Sequence, residues 1–145
     1  MLPEFDERGN LPPGIHFAKW SEFVARFAAN EHRQRLVSGM EQALTILRSA
    51  GCNRVYVDGS FVTAKAAPGD YDIAWEPSGV DVVLLLRLDP VFGLFDNGRA
   101  AQKAKYQGEF FPSSTAEALT GRTFLDFFQV DKESGEAKGI VSLDL

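Results

Sequence analysis

The chain has 145 residues, of which 45% are hydrophobic and 24% charged, and it carries a net charge of -5 at pH 7. These values are typical of an ordinary globular domain with a sizeable core, so we predict one domain over residues 1–145. The acidic balance argues against extended nucleic acid as a partner, because phosphate contacts require clustered Lys and Arg. It does not exclude a small basic pocket that binds a nucleotide.

Cysteine content and hydropathy favour a cytoplasmic protein. The single cysteine, Cys52, excludes a disulfide framework and fits a reducing compartment, where we expect it to be a small buried side chain. The N-terminal stretch MLPEFDERGN contains acids and no apolar run, which is not typical of a signal peptide. The longest apolar run, VVLLLRL, is far shorter than the ~20 residues of a bilayer crossing, so we expect no membrane association.

The first half of the chain predicts two helices followed by two strands. After an extended entry at LPPG, the segment WSEFVARFAA places its apolar residues on one helical face. Asn30 predicts the N-cap of a longer second helix, and Gly51 predicts its end. The segments NRVYVDGS and GDYDIAWEP, the latter closed by Pro77, are typical of strands.

The second half is less clearly patterned. GVDVVLLLRLDPVF fits a helix or a strand, and its position before Pro90 favours a helix. A short helix is predicted to begin at Asn97, and YQGEFFPS is predicted to form a strand. TAEALTG fits a short helix or turn, the type of TFLDFFQV stays open, and IVSLDL fits a final strand or an extended tail. These elements together predict an α/β domain.

Residues 58–75, DGSFVTAKAAPGDYDIAW, contain the strongest functional signal. In a strand, Asp70 and Asp72 point to the same face. Two ionised carboxylates placed together repel each other, and their burial is costly unless a counter-charge is present. A divalent metal is the usual counter-charge, and Mg²⁺ prefers one or two carboxylates together with phosphate oxygens and water.

Gly59 and Ser60 precede this acidic pair and suit the phosphate end of such a site. Glycine allows the backbone to approach a phosphate closely. If a helix begins near Ser60, its free N–H groups and its dipole would bind the anion, and the hydroxyl would add a donor. The order strand, Gly-Ser turn, loop and Asp-x-Asp strand therefore predicts a nucleoside triphosphate and metal site.

This arrangement resembles the nucleotidyltransferase superfamily with the DNA-polymerase-β-like fold, whose pattern is a Gly-Ser or Gly-Gly turn, about ten residues, and Asp-x-Asp or Asp-x-Glu. Here the match is Gly59, Ser60, nine residues, Asp70, Tyr71 and Asp72. The chain from LPPG to KGIVSLDL also looks similar to uncharacterised small bacterial proteins of that superfamily. Its size resembles minimal bacterial nucleotidyltransferases, some of which are antitoxins beside a HEPN-type toxin. The resemblance implies a mixed sheet flanked by helices, with additional N-terminal helices.

The resemblance also implies roles for individual residues. Ser60 and the backbone of Gly59 would bind the β- and γ-phosphates, and Asp70 and Asp72 would bind two Mg²⁺ ions. The superfamily normally adds a third carboxylate from a neighbouring strand, for which Glu109 and Asp126 are the candidates.

We favour Glu109 as the third carboxylate. A strand, helix and strand after Asp72 would return Glu109 beside the acidic pair through a short crossover. Gly108 would leave room for metal and substrate at the backbone. Asp126 has a similar apolar setting in FLDFFQ, but that segment could equally be a helix with one polar edge in water.

The predicted activity is Mg²⁺-dependent transfer of a nucleoside monophosphate from an NTP, preferably ATP, to a hydroxyl group of an unidentified acceptor. The acidic composition favours a protein or a small molecule over a long polynucleotide as that acceptor. The alternative is a non-catalytic binding module that retains the fold and acts as an antitoxin or a regulator of a partner protein.

Several of these residues also have plainer interpretations. PGD has turn chemistry of its own, so the acidic pair could lie in a solvated turn. Asp58 is interpreted as the polar end of a strand, and Lys65 either contacts phosphate or is a solvated loop residue. Lys103 and Lys105 are interpreted as a helix face in water, and the aromatic residues of FLDFFQ as core.

Overall fold

Five strands form one mixed sheet in the computed structural model, which describes residues 1–145. The strand order across the sheet is β1-β5-β2-β3-β4. Neighbours β1 and β5 are parallel, as are β3 and β4, whereas β2 is antiparallel to both β5 and β3. The strands are Gly14–Ala18 (β1), Arg54–Asp58 (β2), Tyr71–Trp75 (β3), Gly108–Pro112 (β4) and Gly139–Asp144 (β5). The predicted α/β class is therefore confirmed.

Five α-helices accompany the sheet, together with single 3-10 turns at Ser60–Val62 and Pro90–Gly93. Asn30 caps the second helix as predicted, since its side chain accepts a hydrogen bond from the backbone N–H of Arg33 at 2.9 Å. None of the helices combines the length and apolarity that a bilayer crossing requires. The helices are Trp20–Phe27 (α1), Glu31–Ser49 (α2), Val82–Leu88 (α3), Asp96–Tyr106 (α4) and Phe124–Phe127 (α5).

Strand β1 was not predicted, because the sequence indicated only an extended entry before α1. The strand lies at the edge of the sheet, and its partner β5 is the last strand of the chain. Its residues are exposed or half-buried, so they lack the alternation of apolar side chains that marks a strand in a sequence. The ambiguous segment 139–144, in contrast, is the buried strand β5 between β1 and β2.

The two faces of the sheet are covered unequally. A cluster of 25 buried residues packs helices α1 and α2 against one face. A cluster of five buried residues covers the other face, and its members are Tyr56, Ala74, Phe111, Phe128 and Ile140. Phe128 of the FLDFFQ segment belongs to this smaller cluster, as predicted for core, whereas Phe124 and Phe127 are half-buried and pack against it. Cys52 is buried, also as predicted.

Gly108 makes room for an aromatic ring, and the prediction that it leaves space for a metal was wrong. A Cβ atom built at Gly108 would lie 2.4 Å from Cε1 of Tyr71. The Tyr71 ring is fully buried, and its hydroxyl donates to the carbonyl of Tyr106 at 2.7 Å. Tyr71 thereby joins β3 to the end of α4, directly before β4 begins.

We expect Gly108→Ala to lower the free energy of unfolding by about 1–3 kcal/mol, because the buried Tyr71 ring cannot move away without repacking. Chemical denaturation measures this change. Gly69→Ala is the matched control, since a Cβ atom at Gly69 meets nothing within 4 Å. Equal losses in the two variants would show that the Tyr71 contact is not the cause.

Candidate functional site

The strand register brings carboxylates from three neighbouring strands into one row. Asp58 at the end of β2 pairs with Asp72 on β3, and Asp72 pairs with Glu109 on β4. Asp70 directly precedes β3. One oxygen each from Asp70, Asp72 and Glu109 lies within 4.8 Å of the others. We call these three residues the acid cluster.

Glu109 occupies the position that the predicted crossover gives it. Strand β3 leads through α3 and α4 to β4, which is parallel to β3, so Glu109 returns beside Asp72. Asp126 does not belong to the acid cluster. It is exposed on the short helix α5, where its backbone N–H donates to Thr123 Oγ1 at 3.2 Å. The structure therefore favours Glu109 as the third acid of the site.

The acid cluster concentrates negative charge. The pKa of Asp72 is raised to about 7, chiefly by burial and then by the nearby carboxylates of Asp58, Glu109 and Asp70 in that order. Burial also raises the pKa of Asp70, with Glu109 as the next cause. These directions indicate that the carboxylates lack sufficient counter-charge within the chain.

Lys103 is exposed on α4, as predicted for a helix face in water, and it also supplies part of that counter-charge. Its Nζ lies 2.8 Å from Glu109 Oε1 and 3.9 Å from Asp70 Oδ2. Lys105 also has a specific partner, because its Nζ lies 2.7 Å from the buried carboxylate of Asp89. The sequence did not reveal these pairs, because the helical spacing of the lysines does not specify which strand they face.

Asp58 is a buried ionisable residue of the site, not merely the polar end of a strand. It is only 4% exposed, and its Oδ1 lies 3.1 Å from Nζ of Lys138. Burial raises the pKa of Asp58, while Lys138 opposes that rise. The partner stands directly before β5, so the sequence around Asp58 carries no signal of the pair.

A polar cavity of about 600 Å³ opens beside Gly59 and Ser60 and is lined by no hydrophobic residue. We call it the Ser60 cavity. Gly59 and Ser60 line it together with charged residues of both signs, namely the cations Arg8, Lys132 and Lys138 and the acids Asp58, Asp72, Asp131 and Glu133.

The backbone conformation at position 59 requires a glycine. Its φ is +88°, in the left-handed region, and a Cβ atom there would lie 3.0 Å from Asp72 Oδ2. Ser60 begins a 3-10 turn of only three residues, so the expected helix dipole at Ser60 is absent. Any anion here would be bound by local N–H groups and the hydroxyl. Lys65 lies outside the Ser60 cavity and has an exposed side chain.

A buried arginine holds the loop between the two halves of the motif. Arg33 on α2 is 4% exposed and donates hydrogen bonds to four backbone carbonyls. Those of Phe61, Thr63 and Lys65 belong to the loop that joins Ser60 to Asp70. These hydrogen bonds were not predicted, because in the sequence Arg33 is one of several charged residues on an amphipathic helix.

A second cavity of about 540 Å³ borders the acid cluster. We call it the aromatic cavity, because Phe111, Phe124, Phe127 and Phe128 line it together with Arg99 and all three acids of the cluster. Asp72 and Lys132 line both cavities. Asp72 of the acid cluster therefore stands at the border between a polar cavity and an aromatic one, while Asp70 and Glu109 line the aromatic cavity alone.

The donor set of the acid cluster fits a hard divalent cation. Its three carboxylates offer oxygen ligands, which suit Mg²⁺ or Mn²⁺, and no His or Cys belongs to the group. The raised pKa of Asp72 and Asp70 agrees with this fit, since burial and then carboxylate repulsion disfavour the charged forms, and a bound cation would favour them.

The pKa of Asp72 makes stability depend on pH. With a folded pKa of about 7, against about 3.9 in an unfolded chain, the metal-free folded protein binds more protons between about pH 4 and pH 7. Its stability therefore falls as the pH rises through that range.

We expect Asp72→Asn to remove this pH dependence and to raise the free energy of unfolding by on the order of 1–3 kcal/mol near pH 8. Denaturation in EDTA between about pH 5 and pH 8 measures both effects. Glu41→Gln, at an exposed position of α2, is the control for loss of an acid. A parallel pH profile for Asp72→Asn and the wild type would contradict the assigned pKa.

Comparison with known proteins gives a family without an assigned activity. No curated protein and no solved structure matches the chain significantly. One family model matches residues 3–144, which is nearly the whole chain, and its description is "Family of unknown function (DUF6932)". The chain therefore belongs to the DUF6932 family.

Proposed function

We propose that this protein is a Mg²⁺-dependent nucleotidyltransferase that transfers a nucleoside monophosphate from an NTP, preferably ATP, to a hydroxyl group. The observation that carries the proposal is the acid cluster at the border of two cavities. One cavity offers a Gly-Ser turn and cations for phosphates, and the other offers an aromatic wall for a second substrate.

The acid cluster would hold the metal. Asp70, Asp72 and Glu109 supply the carboxylate oxygens, and Lys103 neutralises part of their charge. When bound, Mg²⁺ would offset negative charge on the transferred phosphate and lower the pKa of a coordinated hydroxyl.

The Ser60 cavity would bind the β- and γ-phosphates. Gly59 allows close approach of the backbone, and Ser60 adds a hydroxyl donor. Arg8 and Lys138 line the same cavity but already contact acids, Glu136 and Asp58 respectively. Lys132 forms no such ion pair and is the cation best placed to meet a phosphate.

The two cavities, which meet at Asp72, support one direction of attack. In phosphoryl transfer the attacking oxygen and the leaving group lie roughly in line on opposite sides of the phosphorus. If pyrophosphate leaves within the Ser60 cavity, the acceptor hydroxyl approaches from the aromatic cavity. A new bond then forms between the acceptor oxygen and the α-phosphorus, the bond to the pyrophosphate oxygen breaks, and Glu109 on that side can accept the hydroxyl proton.

We expect the double variant Asp70→Asn, Asp72→Asn to abolish Mg²⁺-dependent ATP binding and pyrophosphate release while its fold is retained or stabilised, because carboxylate repulsion is relieved. Calorimetric titration with ATP, in Mg²⁺ and in EDTA, measures the binding. Asp126→Asn is the matched control, since Asp126 is an exposed acid outside the acid cluster.

The same titration separates the enzyme from a binding module. An enzyme requires ATP binding that depends on Mg²⁺, whereas an antitoxin or regulator that acts by contact alone requires neither ligand. An unfolded double variant would show that the acid pair is structural, and the catalytic proposal would lose its main support.

We expect Ser60→Ala to weaken ATP binding more than it weakens the fold. A hydrogen bond to a charged phosphate contributes roughly 1.5–3 kcal/mol, or about a 10- to 150-fold change in Kd. The fold should lose little, because the Ser60 side chain makes no capping hydrogen bond in its 3-10 turn. Ser38→Ala, an exposed position of α2, is the control. Unchanged ATP affinity in Ser60→Ala would count against the phosphate role.

A further inference from the structure

Arg99 presents a fixed and partly unused guanidinium to the aromatic cavity. Its Cζ lies 4.0 Å from the ring centroid of Phe111 and 4.7 Å from that of Phe95, so cation–π contacts hold it in place. Its Nε donates to the carbonyl of Phe110 at 3.2 Å, and this is the one hydrogen bond of the guanidinium within the chain. The donors on Nη1 and Nη2 are therefore available to a ligand.

The nearby acids do not close an ion pair with Arg99. Asp72 and Glu109 line the same cavity, but Glu109 contacts Lys103 instead. Burial lowers the pKa of Arg99, and the charges of Glu109 and Asp72 oppose that shift. The cation and the acid cluster thus face a common space without contacting each other across it.

The backbone at Arg99 is strained. Asn97, Gly98 and Arg99 have φ angles of 53°, 62° and 59°, which place three successive residues in the left-handed region within α4. Residues with a side chain rarely adopt this region, and Asn97 and Arg99 both do so here. Such strain is concentrated at ligand sites, where the surrounding structure maintains it. In this protein the strained residues include Arg99, whose guanidinium lies over the ring of Phe111 on β4.

We propose that Arg99 binds the transferred phosphate of the nucleotide, on the opposite side of Asp72 from Ser60. This inference rests on the proposed nucleotidyl transfer and assigns the residue that meets the α-phosphate oxygens. Asp72 lines both cavities, so a phosphate beside it has the Ser60 cavity on one side and Arg99 on the other. The two Nη groups can donate to two oxygens of one phosphate, which a lysine cannot reproduce. Charge that develops on those oxygens meets a cation already in position.

Two probes separate the phosphate assigned to Arg99 from those assigned to Ser60. AMP carries only the α-phosphate, which is assigned to Arg99. Inorganic pyrophosphate stands for the β- and γ-phosphates, which are assigned to Ser60. We titrate each in Mg²⁺ into the wild type, Arg99→Lys and Ser60→Ala. Arg99→Lys should weaken AMP binding about tenfold or more and leave pyrophosphate binding within about twofold, and Ser60→Ala should show the reverse.

The outcomes distinguish this assignment from the proposed function. If Arg99→Lys binds AMP as tightly as the wild type while Ser60→Ala loses pyrophosphate, the Arg99 assignment is overturned and nucleotidyl transfer still stands. If the wild type binds neither probe nor ATP, the proposed function fails and the assignment fails with it.

A measurement on the wild type keeps the test valid if Arg99 variants do not fold. In ¹⁵N NMR spectra, saturating AMP should shift the Arg99 Nε resonance, and pyrophosphate should leave it nearly unchanged. A merely structural Arg99, packed on Phe95 and Phe111, would respond to neither probe. An unshifted Nε resonance at saturating AMP overturns the proposal.

Discussion

The pairing of β2, β3 and β4 is the constraint on which the site depends. Their register aligns Asp58, Asp72 and Glu109 across three strands, and it forces carboxylates together that would separate in solution. The chain offsets the repulsion from two distant elements, with Lys138 beside Asp58 and Lys103 beside Glu109. Burial, followed by the remaining carboxylate repulsion, still raises the pKa of Asp72 to about 7. A site that retains excess negative charge after folding is prepared for a cation.

The segments around the acid cluster are fixed by contacts from outside it. Arg33 donates to successive carbonyls of the loop between Ser60 and Asp70, which limits how far the two halves of the motif can move apart. Tyr71 fills the space that Gly108 leaves and bonds to the last residue of α4. These buried contacts hold β3 and β4 in the register that brings Asp72 and Glu109 together, so part of the core positions the site.

The two cavities differ in the chemistry that they can accommodate. The Ser60 cavity has no hydrophobic lining and suits highly charged groups, whereas the aromatic cavity joins phenylalanines to carboxylates and Arg99. The two cavities meet at Asp72 and Lys132, which line both.

The sequence by itself determined the α/β class, the cap at Asn30, the strands that carry Asp58, Asp72 and Glu109, and the likeness of Gly59, Ser60 and Asp-x-Asp to a metal and nucleotide motif. These features depend on local periodicity and on residues close together in the chain. Tertiary structure alone decided that β1 pairs with β5, that Lys103 and Lys138 meet the acids, and that Arg99 faces the cavity. Each of these depends on which distant segments pack together, and local periodicity carries no record of that packing.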